Sequence, residues 1–266
     1  MVTEMSSDTL SMFRLDGKVA LVSGGAGIVG SHISEALAEA GATVWVASRD
    51  GAKCQALAAR LAARGLAAVG APCDFTEESS ITALREAILE RHGRLDILFN
   101  NAVGRAGGDL RHTTLEDWEQ AMRLNSSGLF LSSRILSEPM QQARSGAIVN
   151  IASIYGVVGP DFSIYEGTQM TNPANYAFAK GGMVNFTRYL ASYLGPYNVR
   201  VNCLSPGGYE SESQDPKFRA AYARRTLLGR MAVGADIKGV AVFLASDASR
   251  YITGQNILVD GGWTAI

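Results

Sequence analysis

The 266 residues carry 24 Lys and Arg against 25 Asp and Glu, so no basic excess exists to hold nucleic acid or an anionic membrane. Hydrophobic residues make up 47% and charged ones 18%, the balance of a chain with a buried core rather than a disordered one. No apolar run reaches the ~18 residues that a membrane span needs.

Residues 1–12 read as a loose, polar arm without the basic start and apolar stretch of a secretory signal. From residue 13 to 266 strand and helix patterns alternate. Apolar runs at 18–23, 43–48, 67–72, 95–99, 147–152, 199–204 and 256–259 predict strands. Helical spacing is expected after the first strand to about Ala40, and over 52–64, 78–92, 174–194 and 236–245. Residues 115–142 carry one long helical pattern with breaks. The stretches 156–172 and 207–226 read as irregular. Strand–helix alternation predicts one α/β domain, a doubly wound Rossmann fold on a seven-stranded, mostly parallel sheet.

Cys54, Cys73 and Cys203 are scattered, with no Cys-x-x-Cys pair, which fits reduced thiols in a cytoplasmic protein. His32, His92 and His112 have no ligand spacing, so no metal is expected.

The turn after the first strand reads Ser23-Gly24-Gly25-Ala26-Gly27-Ile28-Val29-Gly30 and opens a helix. Glycines let a backbone approach a pyrophosphate, and the helix N-terminus offers it free N–H groups. About 20 residues on, an acidic side chain would bind the ribose of NAD. The second strand instead ends Ser48-Arg49-Asp50, and Arg49 suits a 2′-phosphate. NADP(H) is therefore favoured over NAD(H), with Asp50 able to neutralise Arg49 or reach the ribose itself. Later in the chain Tyr176 and Lys180 stand four residues apart, on one face of a helix. An ammonium beside a phenol favours the phenolate, which suits the tyrosine to proton exchange near neutral pH.

Together these segments resemble the short-chain dehydrogenase/reductase family over roughly residues 14–264. Cys73-Asp74-Phe75 resembles the family's adenine-binding segment. Asn100-Asn101-Ala102 resembles its motif after the fourth strand, and Ser205-Pro206-Gly207 its turn beside the nicotinamide. Asn125, Ser153, Tyr176 and Lys180 resemble its active-site tetrad. The resemblance implies hydride transfer between a nicotinamide cofactor and a carbonyl or secondary alcohol. Tyr176 would be the acid, Ser153 would hold the substrate oxygen, and Lys180 would draw down the phenol and bind the nicotinamide ribose. Asn125 would fix a water next to Lys180. The resemblance also implies a homo-oligomer, tetramer or dimer.

Four departures from the family pattern stand out. The glycine spacing, with Ile28 where a glycine is usual, looks more like the epimerase and dehydratase branch, so such an activity is the alternative, beside a non-catalytic nucleotide sensor. Val103 interrupts the Asn-Asn-Ala-Gly run. No threonine follows the Pro-Gly turn. Ser153 and Tyr176 are further apart than usual, the extra length falling at 159–173. This insertion is rich in hydrogen-bonding groups and resembles that of a branch associated with sugar and surface-glycan modification. Tyr155 near Ser153, and Tyr165, Glu166 and Gln169 in the insertion, are the expected substrate contacts, and a sugar, polyol or nucleotide-linked sugar the expected substrate. Subunit contact is the competing role for the insertion.

Overall fold

The computed structural model describes residues 8–266. Residues 1–7 of the expected arm lie outside the described residues. Ser11–Phe13 form a short 3-10 turn, and the Phe13 ring packs 6.2 Å from that of Phe243.

The strands are β1 (Val19–Ser23), β2 (Thr43–Ser48), β3 (Ala68–Pro72), β4 (Ile97–Asn100), β5 (Gly146–Ile151), β6 (Val199–Pro206) and β7 (Asn256–Val259). They form one sheet in the order β3-β2-β1-β4-β5-β6-β7, every pair parallel. The helices are α1 (Ile28–Glu39), α2 (Gly51–Ala62), α3 (Glu78–His92), α4 (Leu115–Met122), α5 (Leu129–Ala143), α6 (Ala174–Leu194), α7 (Pro216–Arg225) and α8 (Ala235–Ala245).

Both faces of the sheet are covered, which is why strands such as β1, buried at all five positions, read as unbroken apolar runs. Alternate side chains still serve different cores. Ala20 and Val22 pack with Ile33 and Leu37 of α1, Leu61 of α2 and Leu244 of α8. Val19 and Leu21 pack with Ile88 of α3, Met140 of α5 and Leu194 of α6. The order reverses between β1 and β4: β2 and β3 lie to one side, β5 to β7 to the other. Crossovers leaving in opposite directions open a crevice at the carboxyl ends of these two strands.

One expectation is made specific and one needs correction. The long pattern at 115–142 is two α-helices joined by a π-helical stretch, Arg123–Gly128. Residues 207–226 are not irregular throughout, because they contain α7. Asp215 caps that helix by accepting from the Lys217 N–H, and Pro216 occupies its first position. Its large apolar side chains are Phe218 and Tyr222, set among alanines and basic residues, so the periodic signal is one turn long. Among the described residues no helix is long and apolar enough to cross a membrane.

Candidate active site

The crevice is a cleft of about 790 Å³, lined at one end by Gly24, Gly27, Ile28, Val29, Gly30, Ser48 and Arg49 and at the other by Ser153, Tyr176 and Lys180. Pro206 and Gly207, at the end of β6, line it between these groups.

The glycine turn is shaped by close approach. Gly24 has φ +60°, and a Cβ there would stand 3.0 Å from the Ala102 Cα. A Cβ at Gly30 would overlap the Gly24 carbonyl oxygen and the Asn101 amide. Asn101 Nδ2 donates to the carbonyls of Ser23 (2.9 Å) and Gly24 (3.0 Å), while the Ser23 hydroxyl accepts from the N–H groups of Asn101 and Ala102. Asn101 and Ala102 thus brace the turn from the end of β4. No side chain caps α1, so its first N–H groups remain open toward the cleft. These features fit a pyrophosphate. Gly30→Ala is expected to weaken nucleotide affinity roughly 10- to 100-fold, the overpacking penalty of about 1–3 kcal/mol, as read by fluorescence titration. Unchanged affinity would show that the turn does not cradle the phosphates.

At the adenosine end Asp50 neither neutralises Arg49 nor stands free. Its Oδ1 caps α2 by accepting from the Lys53 N–H (3.0 Å), and its Oδ2 pairs with Lys53 Nζ (3.1 Å). Arg49 is exposed at the cleft and makes no ion pair among the described residues. Lys53, one turn into α2, is a second cation on this rim, a neighbour that sequence reading missed. Asp74 and Phe75 lie beside the cleft rather than in its lining. Asp74 Oδ1 accepts from the N–H and hydroxyl of Thr76, bonds that hold its carboxyl below the usual carboxylate range. Phe75 is buried in the core.

At the reactive end the structure brings Ser153, Tyr176 and Lys180 together from β5 and α6. Lys180 is 3% exposed, donates to the Ile151 carbonyl at 2.6 Å and lies 5.7 Å from the centre of the Tyr176 ring. Burial pushes the Tyr176 phenol up, but Lys180, then Arg105, then the Ser153 hydroxyl outweigh it and leave it below the ordinary phenol value. Burial lowers Lys180 in turn, opposed by Tyr176 and Cys203. The other cleft phenols move the opposite way. Burial raises Tyr155, Tyr165 and Tyr209, and pushes Tyr222 up to about 12. Of these cleft tyrosines Tyr176 is the one whose phenol lies below its ordinary value.

Asn125 has its side-chain amide engaged with backbone. It sits in the π-helical stretch, where its amide accepts from the Gly104 N–H and donates to the Gly104 carbonyl, both at 2.8 Å. Both sides of the amide clamp the loop after β4. That loop also carries Arg105, whose Cζ lies 5.0 Å from the Tyr176 ring centre. No local pattern marks Arg105, since the contact joins segments remote in the chain.

The insertion packs on α7 and forms part of the cleft wall. Asp161 pairs with Arg225 at 3.0 Å, and the Tyr165 ring stacks on Phe218 at 5.3 Å. Tyr155 and Tyr165 line the cleft with their hydroxyls 3.2 Å apart. Glu166 and Gln169 are exposed and outside the lining. The 3-10 turn Phe162–Tyr165 buries Ile164 and lays Tyr165 inward, which leaves Glu166 on the outer side. Met170, Thr171, Asn172 and Pro173 line the cleft instead, opposite Gln214, Phe218, Tyr222 and Met231. Among the described residues no His, Cys, Asp or Glu cluster is placed to hold a metal ion.

The family model described as enoyl-(acyl carrier protein) reductase matches residues 24–264. A D-threitol dehydrogenase of Mycolicibacterium smegmatis is 35% identical over 256 residues, covering 95% of each chain. A cyclopentanol dehydrogenase of Comamonas testosteroni is 34% identical over 260 residues, covering 96% of this chain and all of the relative. Among solved structures, a gluconate 5-dehydrogenase from Burkholderia cenocepacia in complex with NADP and tartrate superposes with a TM-score of 0.89 at 32% identity, over 97% of this chain and 100% of the other.

Proposed function

Because this chain belongs to the short-chain dehydrogenase/reductase family, we propose that its cleft carries out hydride transfer between NADP(H) and a secondary alcohol or ketone of a small hydroxylated compound. The observation that carries this reading is Tyr176, drawn down by Lys180 beside Ser153, in the same cleft as the glycine turn.

When bound, the nicotinamide supplies or accepts the hydride. In reduction Tyr176 gives its proton to the oxygen that becomes an alkoxide, and in oxidation its phenolate takes that proton back. Ser153 holds the same oxygen by donating to it. Lys180 favours the phenolate and, anchored to the Ile151 carbonyl, keeps its charge in place as the proton moves. The mouth formed by the insertion and α7 limits water at the reacting carbon.

A hydroxylated substrate is supported by the cleft hydroxyls of Tyr155 and Tyr165 and by the threitol- and gluconate-named relatives. Relatives of matching length are named dehydrogenases or reductases, which favours redox chemistry over the epimerase alternative. The test is NADPH-dependent reduction across sugar-derived and hydrophobic ketones. Exclusive use of the hydrophobic ones overturns the substrate class, and no turnover of any overturns the reaction.

The cofactor preference rests on Arg49, with Lys53 beside it and Asp50 already occupied. Arg49→Ala is expected to lower the preference for NADPH over NADH in kcat/KM by roughly 10- to 100-fold, the worth of a charge-assisted bond. A wild-type enzyme that prefers NADH removes this assignment. Homo-oligomer formation belongs to the same reading. Tyr189 and Tyr193 of α6 are exposed and stack in a row with Phe186, an apolar strip that a second copy would cover. A single-chain mass by light scattering would exclude it. Three buried free thiols support a cytoplasmic setting.

A further inference from the structure

Arg105 is built into the site with unusual care for an exposed residue. Both of its neighbours are clamped. Gly104 is held by the two bonds to Asn125, and Ala106 by a 3.0 Å bond from Asn175 Nδ2, one residue before Tyr176. Asn175 is wholly buried, so this strut ties the loop rigidly to the start of α6. The guanidinium is thereby presented over the Tyr176 ring and into the cleft.

Arg105 has no carboxylate partner among the described residues. Nearby acids are engaged elsewhere: Asp109 with His112 at 2.6 Å, and Asp161 with Ser163 and Arg225. Asp50 is the single acidic side chain in the cleft lining, and it caps α2 at the adenosine end. Lys180 is buried behind Tyr176 and bonded to Ile151. The substrate end thus holds one rigidly placed cation at its open side, walled by phenols, apolar groups and the uncharged Thr171, Asn172 and Gln214. A guanidinium that stays unpaired there is complementary to an anion carried by the substrate.

We infer that Arg105 anchors a substrate carboxylate, so that the compound reduced or oxidised is a short oxo or hydroxy acid. This rests on the oxidoreductase reading and narrows it. With the reacting oxygen at Tyr176 and Ser153, the carboxylate on Arg105 sits close to the reacting carbon, which makes 2- and 3-hydroxy acids the class that fits. The planar two-donor edge of one guanidinium matches a carboxylate and can also take a phosphate, so the experiment carries an arm for each.

The experiment compares matched pairs: a short 2- or 3-hydroxy acid and its neutral amide, with the corresponding phosphorylated alcohol as a third arm. Wild-type enzyme is expected to favour the acid. Arg105→Gln is expected to lower the acid-over-amide ratio of kcat/KM by roughly 10- to 100-fold, mostly through KM for the acid, and Arg105→Lys to restore part of it. Nucleotide titration and the melting temperature confirm that the variants fold. Equal use of acid and amide by the wild type overturns the inference, as does preference for the phosphorylated compound. So does a variant that slows both substrates alike with an alkaline shift of the pH profile, because Arg105 would then act only through Tyr176. Turnover of neutral alcohols without response to the carboxylate sinks this inference alone. Absence of turnover with every alcohol and ketone sinks the oxidoreductase reading with it.

Discussion

Tyr176→Phe is expected to lower kcat by about 10³-fold while leaving nucleotide binding intact, within the range of about 10²–10⁴ for loss of a positioned general acid or base. The substitution removes one oxygen and keeps the ring. That ring packs with Tyr155, Tyr165 and Ala177 in the cluster under the cleft, so the fold has no reason to change. Tyr155 and Tyr165 do not replace the lost hydroxyl. Burial holds both phenols above the ordinary value, and their hydroxyls are bonded to each other. Single-turnover kinetics with saturating NADPH and nucleotide titration separate the two effects. Near-normal turnover would remove Tyr176 from the chemistry.

Lys180→Met carries the second largest effect, a fall in kcat of about 10²-fold or more, with a shifted pH profile. Burial alone would place the Tyr176 phenol above its ordinary value, and Lys180 is the strongest influence pulling it down. Without Lys180 the phenol titrates at higher pH. Oxidation needs the phenolate as base, so its activity limb moves to alkaline pH. Reduction needs the phenol as acid, so its limb on the alkaline side also moves upward. Arg105 and Ser153 remain, which keeps the displacement below the full burial effect. Methionine fills a similar volume without a charge. Loss of the bond to the Ile151 carbonyl costs about 1–3 kcal/mol, and relief of a desolvated ammonium offsets part of it. The variant therefore folds, and its melting temperature checks this. A limb that stays in place at reduced kcat would assign Lys180 to cofactor positioning alone.

Two neighbouring residues within the insertion show how far local reading reaches. Tyr165 and Glu166 are adjacent and both carry groups suited to a hydroxylated ligand, yet one lines the cleft and the other faces outward. The choice depends on how a 3-10 turn settles on Phe218, a residue of another element. Asn125 shows the same limit. Its place in the chain was legible, but its amide binds Gly104 because a π-helical stretch turns it toward the loop after β4. The α7 helix was missed because it buries Phe218 and Tyr222 alone, too few positions to set up a helical period.

Strands, most helices, the glycine turn and the pairing of Tyr176 with Lys180 were determined by the sequence alone. Their causes are local: short unbroken apolar runs, the missing Cβ of glycine, and the pitch of one helix. Tertiary structure decided that Glu166 and Gln169 face away from the cleft and that Arg105 lies over the Tyr176 ring. Those outcomes are set by distances between segments far apart in the chain, where electrostatics and burial act through space and no spacing along the backbone records them.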